Sequence, residues 1–212
     1  MPASRIVAIE AAGPKRRARR LVFDDGSEIL TAAAIVRALS INTGEEHRVS
    51  ELTTRIADVE LEAARERALG LMGYRDRSSA DLRSALLGDG YTPDTVDSVM
   101  SRFADLQLVD DERFAMAYAR TRAAGGYGCR RTERELNRMG VEPDLSARAT
   151  REACDDSELE RAVAALRGAR PVTPKERDRL LRRLVSRGFD LSTAFAALAS
   201  ATENEPEESP EP

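Results

Sequence analysis

The sequence has no tryptophan, one histidine, two cysteines and two lysines among its 33 basic residues. Each scarcity excludes something. The single histidine, His47, sits in a polar stretch with no second nitrogen ligand nearby, which argues against a histidine-based metal centre or a catalytic triad. Cys129 and Cys154 are far apart and lack a CxxC partner, so reduced thiols are expected. No run of 18 apolar residues exists, and the N-terminus lacks a charged-then-apolar leader, so the expectation is a soluble, cytoplasmic protein without a membrane segment. Aromatic residues make up 4% of the chain, leaving few platforms on which bases could stack.

Catalytic signatures are missing as well. Gly125-Gly126-Tyr127-Gly128 precedes a helix but matches neither GxGxxG nor a P-loop, and reads as a turn. Asp110-Asp111-Glu112 is the one tight carboxylate cluster of the expected folded region. A two-metal nuclease would need acids from several elements, and a helix N-terminus accounts for these three more simply. No cofactor, metal or enzymatic activity is expected.

What the chain does have is a repeat of about 50 residues. Gly90, Gly140 and Gly188 align, each preceded four places earlier by a leucine (Leu86, Leu136, Leu184) and followed by an apolar residue (Tyr91, Val141, Phe189). Thr92-Pro93-Asp94, Glu142-Pro143-Asp144 and Asp190-Leu191-Ser192 then start the next helix. Such periods signal stacked supersecondary units that bury a core and leave a long face for a partner.

Helix signals fill in the units. Ser78 with Asp81 resembles a capping box, and Leu82, Ala85 and Leu86 form its stripe. Val96, Val99, Met100 and Phe103 make the next apolar face. Phe114, Ala117, Tyr118 and Thr121 are expected to face inward on the helix after Asp110. Leu159, Val163 and Leu166 mark another helix, and Thr173-Pro174-Lys175-Glu176 caps the one bearing Leu180, Leu181, Leu184 and Val185. Residues 5–30 differ: weak alternation and Asp24-Asp25-Gly26 suggest two or three β-strands, with Lys15-Arg16-Arg17 in a loop. A short helix over 31–39, a polar connector over 40–47 and a long helix from about Ser50 to Tyr74 follow.

The fold expected is mainly α: three tandem three-helix repeats behind a small α/β N-terminal region. The expected divisions are 1–58 (hairpin and short helix), 59–110, 111–155 and 156–200 (the repeats), and 201–212 (a disordered acidic tail).

The net charge of −4 conceals an asymmetry. Residues 203–212 carry five glutamates and no base, whereas 113–151 hold nine arginines against four acids. Charge of this kind suits a polyanion or an acidic protein surface. On a helical wheel Arg130, Arg131, Arg134 and Arg138 lie opposite Thr132, Leu136 and Met139. Lys175, Arg179, Arg182 and Arg183 lie opposite the leucines of the third repeat. Arg131 and Arg179 are equivalent across the repeats, as are Arg134 and Arg182, while the first repeat has Asp81 and Ser84 there. The candidate partner-binding residues are therefore Arg130, Arg131, Arg134, Arg138, Arg179, Arg182 and Arg183.

The stretch Arg75-Asp76-Arg77-Ser78-Ser79-Ala80-Asp81-Leu82, then Leu86, Gly90-Tyr91 and Val96, leads to Gln107-Leu108-Val109-Asp110-Asp111-Glu112-Arg113-Phe114-Ala115. With Tyr118 and the segment from Gly128 to Leu136, it resembles the RecX family of bacterial recombination regulators. The similarity spans about 62–190 and weakens in the third repeat, where Thr173-Pro174 replaces an Arg-Ser-type start; Thr132 also stands where Leu82 and Leu180 do. The resemblance implies an elongated, curved array of three-helix repeats. It further implies binding to the RecA–single-stranded-DNA filament, restraining its ATPase, strand exchange and co-protease activity as a monomeric, non-enzymatic partner. The alternative is a helical module that binds DNA directly, without RecA. A helical adaptor for an unrelated protein would fit the fold equally well.

Overall fold

The computed structural model describes residues 3–13, 15–154, 158–169 and 171–203. The chain divides at Asp110/Asp111 into two compact units.

The first unit opens with strands β1 (Ser4–Ala12), β2 (Ala18–Phe23) and β3 (Glu28–Ala32), followed by the short helix α1 (Ala33–Ala38) and strand β4 (Glu46–His47). The sheet is antiparallel, in the order β3-β2-β1-β4. One strand more than expected is present. It is made of two residues inside the polar connector, where Ser4 and Arg5 pair with His47 and Glu46, and no alternation announces so short a strand. The β2–β3 turn falls at Asp24–Ser27 as expected, with Gly26 at φ 83°. Ile6, Leu21, Phe23 and Ile29 form the sheet's buried face.

Helix α2 (Val49–Tyr74) is one continuous piece of 26 residues that crosses the expected 58/59 division. Its buried residues, Leu52, Ile56, Glu60, Ala64 and Ala68, recur every fourth position. Each such step rotates about 40° around a 3.6-residue helix, so the stripe turns through about 160° from end to end. That drift lets α2 contact β3 and α1 as well as α3 (Ser79–Asp89) and α4 (Pro93–Asp105). A single core joins Ile6, Leu21 and Phe23 of the sheet to Leu82, Leu86, Val96, Val99 and Phe103 of the first three-helix repeat.

The second unit holds two further trios, α5 (Asp111–Ala124), α6 (Cys129–Arg138) and α7 (Pro143–Cys154), then α8 (Glu158–Leu166), α9 (Pro174–Arg187) and α10 (Leu191–Glu203). The protein is mainly helical, with ten helices among the described residues. Each trio of this unit has its own core, around Phe114, Leu136 and Val141 in one and Leu166, Leu184, Phe189 and Leu198 in the other.

The three aligned glycines have one conformation. Gly90, Gly140 and Gly188 lie at φ 97°, 78° and 96°. The next residue's N–H (Tyr91, Val141, Phe189) reaches back to the carbonyl of Leu86, Leu136 and Leu184 at 3.4, 3.1 and 3.2 Å. These are Schellman ends, in which a left-handed residue lets the chain double back and satisfy the helix's last carbonyls. The leucine is fully buried in every copy.

Several inward faces differ from expectation. On α5 the buried residues are Phe114, Ala115, Ala119 and Ala123, while Ala117 and Thr121 are exposed. Small side chains let α5 approach α7 closely, and alanine carries too little hydropathy to mark that face in a sequence. On α8 the buried residues are Ala162, Ala165 and Leu166, leaving Leu159 40% exposed, for the same reason. Val185 is 39% exposed at the end of α9. Helix α10 continues through Glu203, past the expected start of the tail at 201; the remainder of that tail lies outside the described residues. Cys129 is disulfide-bonded, in contrast to the reduced thiol expected from its isolation in sequence.

Candidate partner-binding surface

All seven candidate arginines lie in the second unit, on α6 and α9. Helix α9 begins at a complete capping box. The Glu176 N–H donates to Thr173 Oγ1 at 3.3 Å, and the Glu176 carboxylate accepts from the N–H groups of Thr173 and Val172 at 3.1 and 3.0 Å. Those backbone donors, foremost Thr173, hold the Glu176 carboxyl below its ordinary range.

The C-terminal end of α9 meets the N-terminal start of α6. The Gly128 N–H donates to Arg187 O at 3.0 Å and the Arg130 N–H to Gly188 O at 3.2 Å. Arg131 Nη1 adds a longer bond to Ser186 O at 3.4 Å. Unsatisfied carbonyls ending one helix are thus capped by unsatisfied donors starting another, with the dipoles head to tail. The approach requires two glycines, because a Cβ on Gly128 or on Gly188 would collide with the opposing chain. The middle helices of the second and third repeats are joined end to end.

This junction sorts the arginines. Arg130 and Arg134 are exposed on α6 and line a groove of about 410 Å³ with Glu133, Asn137, Val185, Phe189 and Leu191. Bonds from Thr193 and Ser192 hold the Asp190 carboxyl low, with the positive charge of Arg130 as a lesser contribution. Arg134 and Arg182 behave alike: each donates its Nε to the carbonyl four residues earlier, at 3.0 and 3.2 Å. Arg138 and Arg179 are exposed, and Arg183 is half-buried. None of these six makes an ion pair with another described residue.

Arg131 is different. Its Nε donates to Glu135 at 2.9 Å and its guanidinium lies 4.8 Å from the centre of the Tyr127 ring. Arg122 reaches the same carboxylate at 2.6 Å and covers Tyr127 at 3.9 Å, while the Tyr118 hydroxyl donates to Glu135 at 2.9 Å. Burial pushes the Glu135 carboxyl up, but donors from Arg131, Arg122 and Tyr118 outweigh it and hold the group below its ordinary value. Wheel geometry places Arg131 on the solvent arc; its side chain is only partly exposed, engaged by Glu135 and Tyr127 of its own repeat and touched by Ser186 and Gly188 of the next. The Arg122–Tyr127–Glu135 cluster carries no sequence signal beyond residue type.

At the start of α5, Glu112 pairs with Arg148 at 2.7 Å. Among the described residues no group of three or more His, Cys, Asp or Glu is placed to hold a metal ion, and no described helix is long and apolar enough to cross a membrane.

Comparison with known proteins gives a consistent match. Residues 64–103 match the family model described as RecX, first three-helix domain, and 110–149 match RecX, second three-helix domain. The regulatory protein RecX of Chromohalobacter salexigens is 36% identical over 142 residues, covering 66% of this chain and 93% of the relative. The protein of the same name from Mycolicibacterium vanbaalenii is 33% identical over 160 residues, covering 69% and 86%. Among solved structures, a crystal structure of regulatory protein RecX aligns at TM-score 0.62 with 18% identity, covering 93% of this chain and 99% of that one. RecX from Lactobacillus salivarius aligns at 0.61 with 17% identity, covering 68% and 97%. At these identities the structural matches establish the fold.

Proposed function

This chain belongs to the RecX family, and from that premise we propose that it binds the RecA–single-stranded-DNA filament in the cytoplasm and restrains its ATPase, strand exchange and co-protease activity. The observation that carries the reading is the pair of end-to-end helices α6 and α9. Their arginines 130, 134, 138, 179, 182 and 183 form no close ion pair with a described residue, although the charges of Arg130 and Arg179 act at longer range on Asp190 and Glu176. An acidic nucleoprotein filament would supply the missing counter-charge, and contacts to several subunits at once would add avidity. Arg131 serves as a positioning residue that fixes α6 against α9.

The test is the single-stranded-DNA-dependent ATPase rate of the cognate RecA, titrated with this protein at sub-stoichiometric ratios. Inhibition well below one copy per RecA subunit supports filament regulation; no inhibition at equimolar protein removes it. Direct DNA binding is the second reading, favoured by the same guanidinium groups, which form no close ion pair with a described residue and suit bidentate pairing with phosphate. It predicts affinity for naked DNA that falls steeply with salt.

A further inference from the structure

The first unit contains a concentration of positive charge that the α6–α9 surface does not involve. Arg16, Arg17 and Arg19 of the β1–β2 connection and β2, Arg37 in the last turn of α1 and Arg67 of α2 surround one cavity. The cavity measures about 440 Å³, and Ala33, Ala34 and Tyr91 also line it. Asp89, at the end of α3, is the one acid in its wall.

Part of this charge has a local explanation. Asp89 is largely buried and pairs with both Arg17 and Arg67, the latter at 2.7 Å. Cations beside the C-terminal end of α3 also complement its dipole. Those two arginines are accounted for. Arg16, Arg19 and Arg37 are not: none makes an ion pair with another described residue. The backbone of Arg16 and the side chain of Arg19 are nevertheless held in place. Arg16 sits in a turn at φ 53°, its N–H bonded to Gly13 O at 3.0 Å. Arg19 Nη1 donates to Arg16 O and Ala18 O, both at 2.9 Å. Gly90 packs directly on Arg17 O and Ala18 N, which locks the end of α3 to this loop.

The arrangement selects a kind of anion. Taken as a cube, the cavity is roughly 8 Å across. A nucleic-acid strand advancing about 3.4 Å per phosphate would bring about two single charges within reach. The wall carries an excess of four positive charges. A chain of anhydride-linked phosphates concentrates roughly three or four negative charges in the same span. Guanidinium groups suit it, because each can donate bidentately to neighbouring phosphate oxygens. Tyr91 is the one aromatic residue of the lining, and it offers little ring surface to a base, being 8% exposed with its hydroxyl donated to Ala63 O at 3.3 Å.

We propose that this arginine-lined cavity of the N-terminal region is a binding site for an oligophosphate anion, whether free or as the phosphate chain of a nucleoside polyphosphate.

The probe is inorganic triphosphate, titrated calorimetrically into the full-length chain at low salt. The variant is Arg16→Glu with Arg37→Glu, which leaves both partners of Asp89 in place. Triphosphate should bind the parent protein and raise its Tm, and should bind the variant roughly 100-fold more weakly, while the variant's unliganded Tm is unchanged. Arg130→Glu with Arg134→Glu should retain full triphosphate affinity, so failure here and failure of the RecA reading are separable. ATP binding more tightly than triphosphate would identify a nucleoside polyphosphate as the source, and weaker ATP binding would identify free polyphosphate. No binding of triphosphate, or equal binding by the cavity variant, overturns the assignment. So does a twelve-nucleotide oligothymidylate that binds the cavity more tightly than triphosphate.

Discussion

Gly188 and Arg131 lie in contact across the junction of α9 and α6, so close that a Cβ on the glycine would overlap Cβ of the arginine. Gly188 is also left-handed, at φ 96°. Gly188→Ala should therefore cost more than the conformational penalty alone: about 1–2 kcal/mol for the backbone and a further 1–3 kcal/mol, roughly, for the steric overlap. Gly168 is the control, left-handed at φ 69° with open space around it. Gly168→Ala should lose only the first part. Urea denaturation of both variants decides the matter, and equal losses would remove the junction from the account.

Glu135 should make the second unit sensitive to acid. Its carboxyl is held below the ordinary 4.5 in the folded protein, where Arg131, Arg122 and Tyr118 bond to it. A depressed carboxyl contributes stability above its unfolded pKa and loses it as pH falls through the folded value. Glu135→Gln should lower stability by about 1–3 kcal/mol at neutral pH and flatten the decline below pH 4.5. A variant whose acid limb matches the parent's would refute the assignment.

Glu60 should act in the opposite sense. It is 1% exposed and accepts from the Thr92 N–H at 2.7 Å and the Thr31 hydroxyl at 3.0 Å. Burial pushes its carboxyl above the ordinary 4.5 despite those donors. A raised carboxyl favours the protonated folded state, so its ionisation removes stability as pH rises from 4.5 through the folded value. Glu60→Gln keeps an acceptor for Thr92 and cannot ionise. It should be at least as stable as the parent at pH 7, with the advantage shrinking toward pH 5. An advantage that does not change with pH would contradict the argument.

The arginines of α6 and α9 divide into two kinds of variant. Arg134→Glu with Arg182→Glu should weaken inhibition of RecA by about tenfold or more while leaving the melting temperature unchanged, since neither residue is ion-paired with a described group. Arg131→Ala should instead destabilise the fold through Glu135 and Tyr127. If the folded double variant inhibits fully, the basic face is not the contact surface.

How much of this could be read from the residues depended on whether the signal was local. The Gly90, Gly140 and Gly188 ends, the buried leucines four places earlier and the Thr173–Glu176 box are contacts within a few residues, and each stood where its spacing put it. The α5 face differs from its expectation because alanine at 115 and 119 fills the interface without marking it as apolar, and on α8 alanine at 162 and 165 does the same. The fate of Arg131 and the convergence of Arg16, Arg37 and Arg67 depend on elements dozens of residues apart. Helical periodicity contains no information about such distances. Val185 shares the apolar arc of α9 with Leu184 in sequence, yet it stands near the helix end, where it lines the groove beside α6.

Helix α2 carries a last consequence. It is about 39 Å long at 1.5 Å per residue, and it belongs at once to the sheet's core and to the first three-helix repeat. The strands are therefore no detachable appendage. Cutting the gene at residue 59 would not release a free-standing repeat. It would remove Thr31, whose hydroxyl donates to the buried Glu60 carboxylate, and take Leu52 and Ile56 of α2 out of the shared core. Evolution, like a protein engineer, must keep this N-terminal block whole or rebuild the face that it covers.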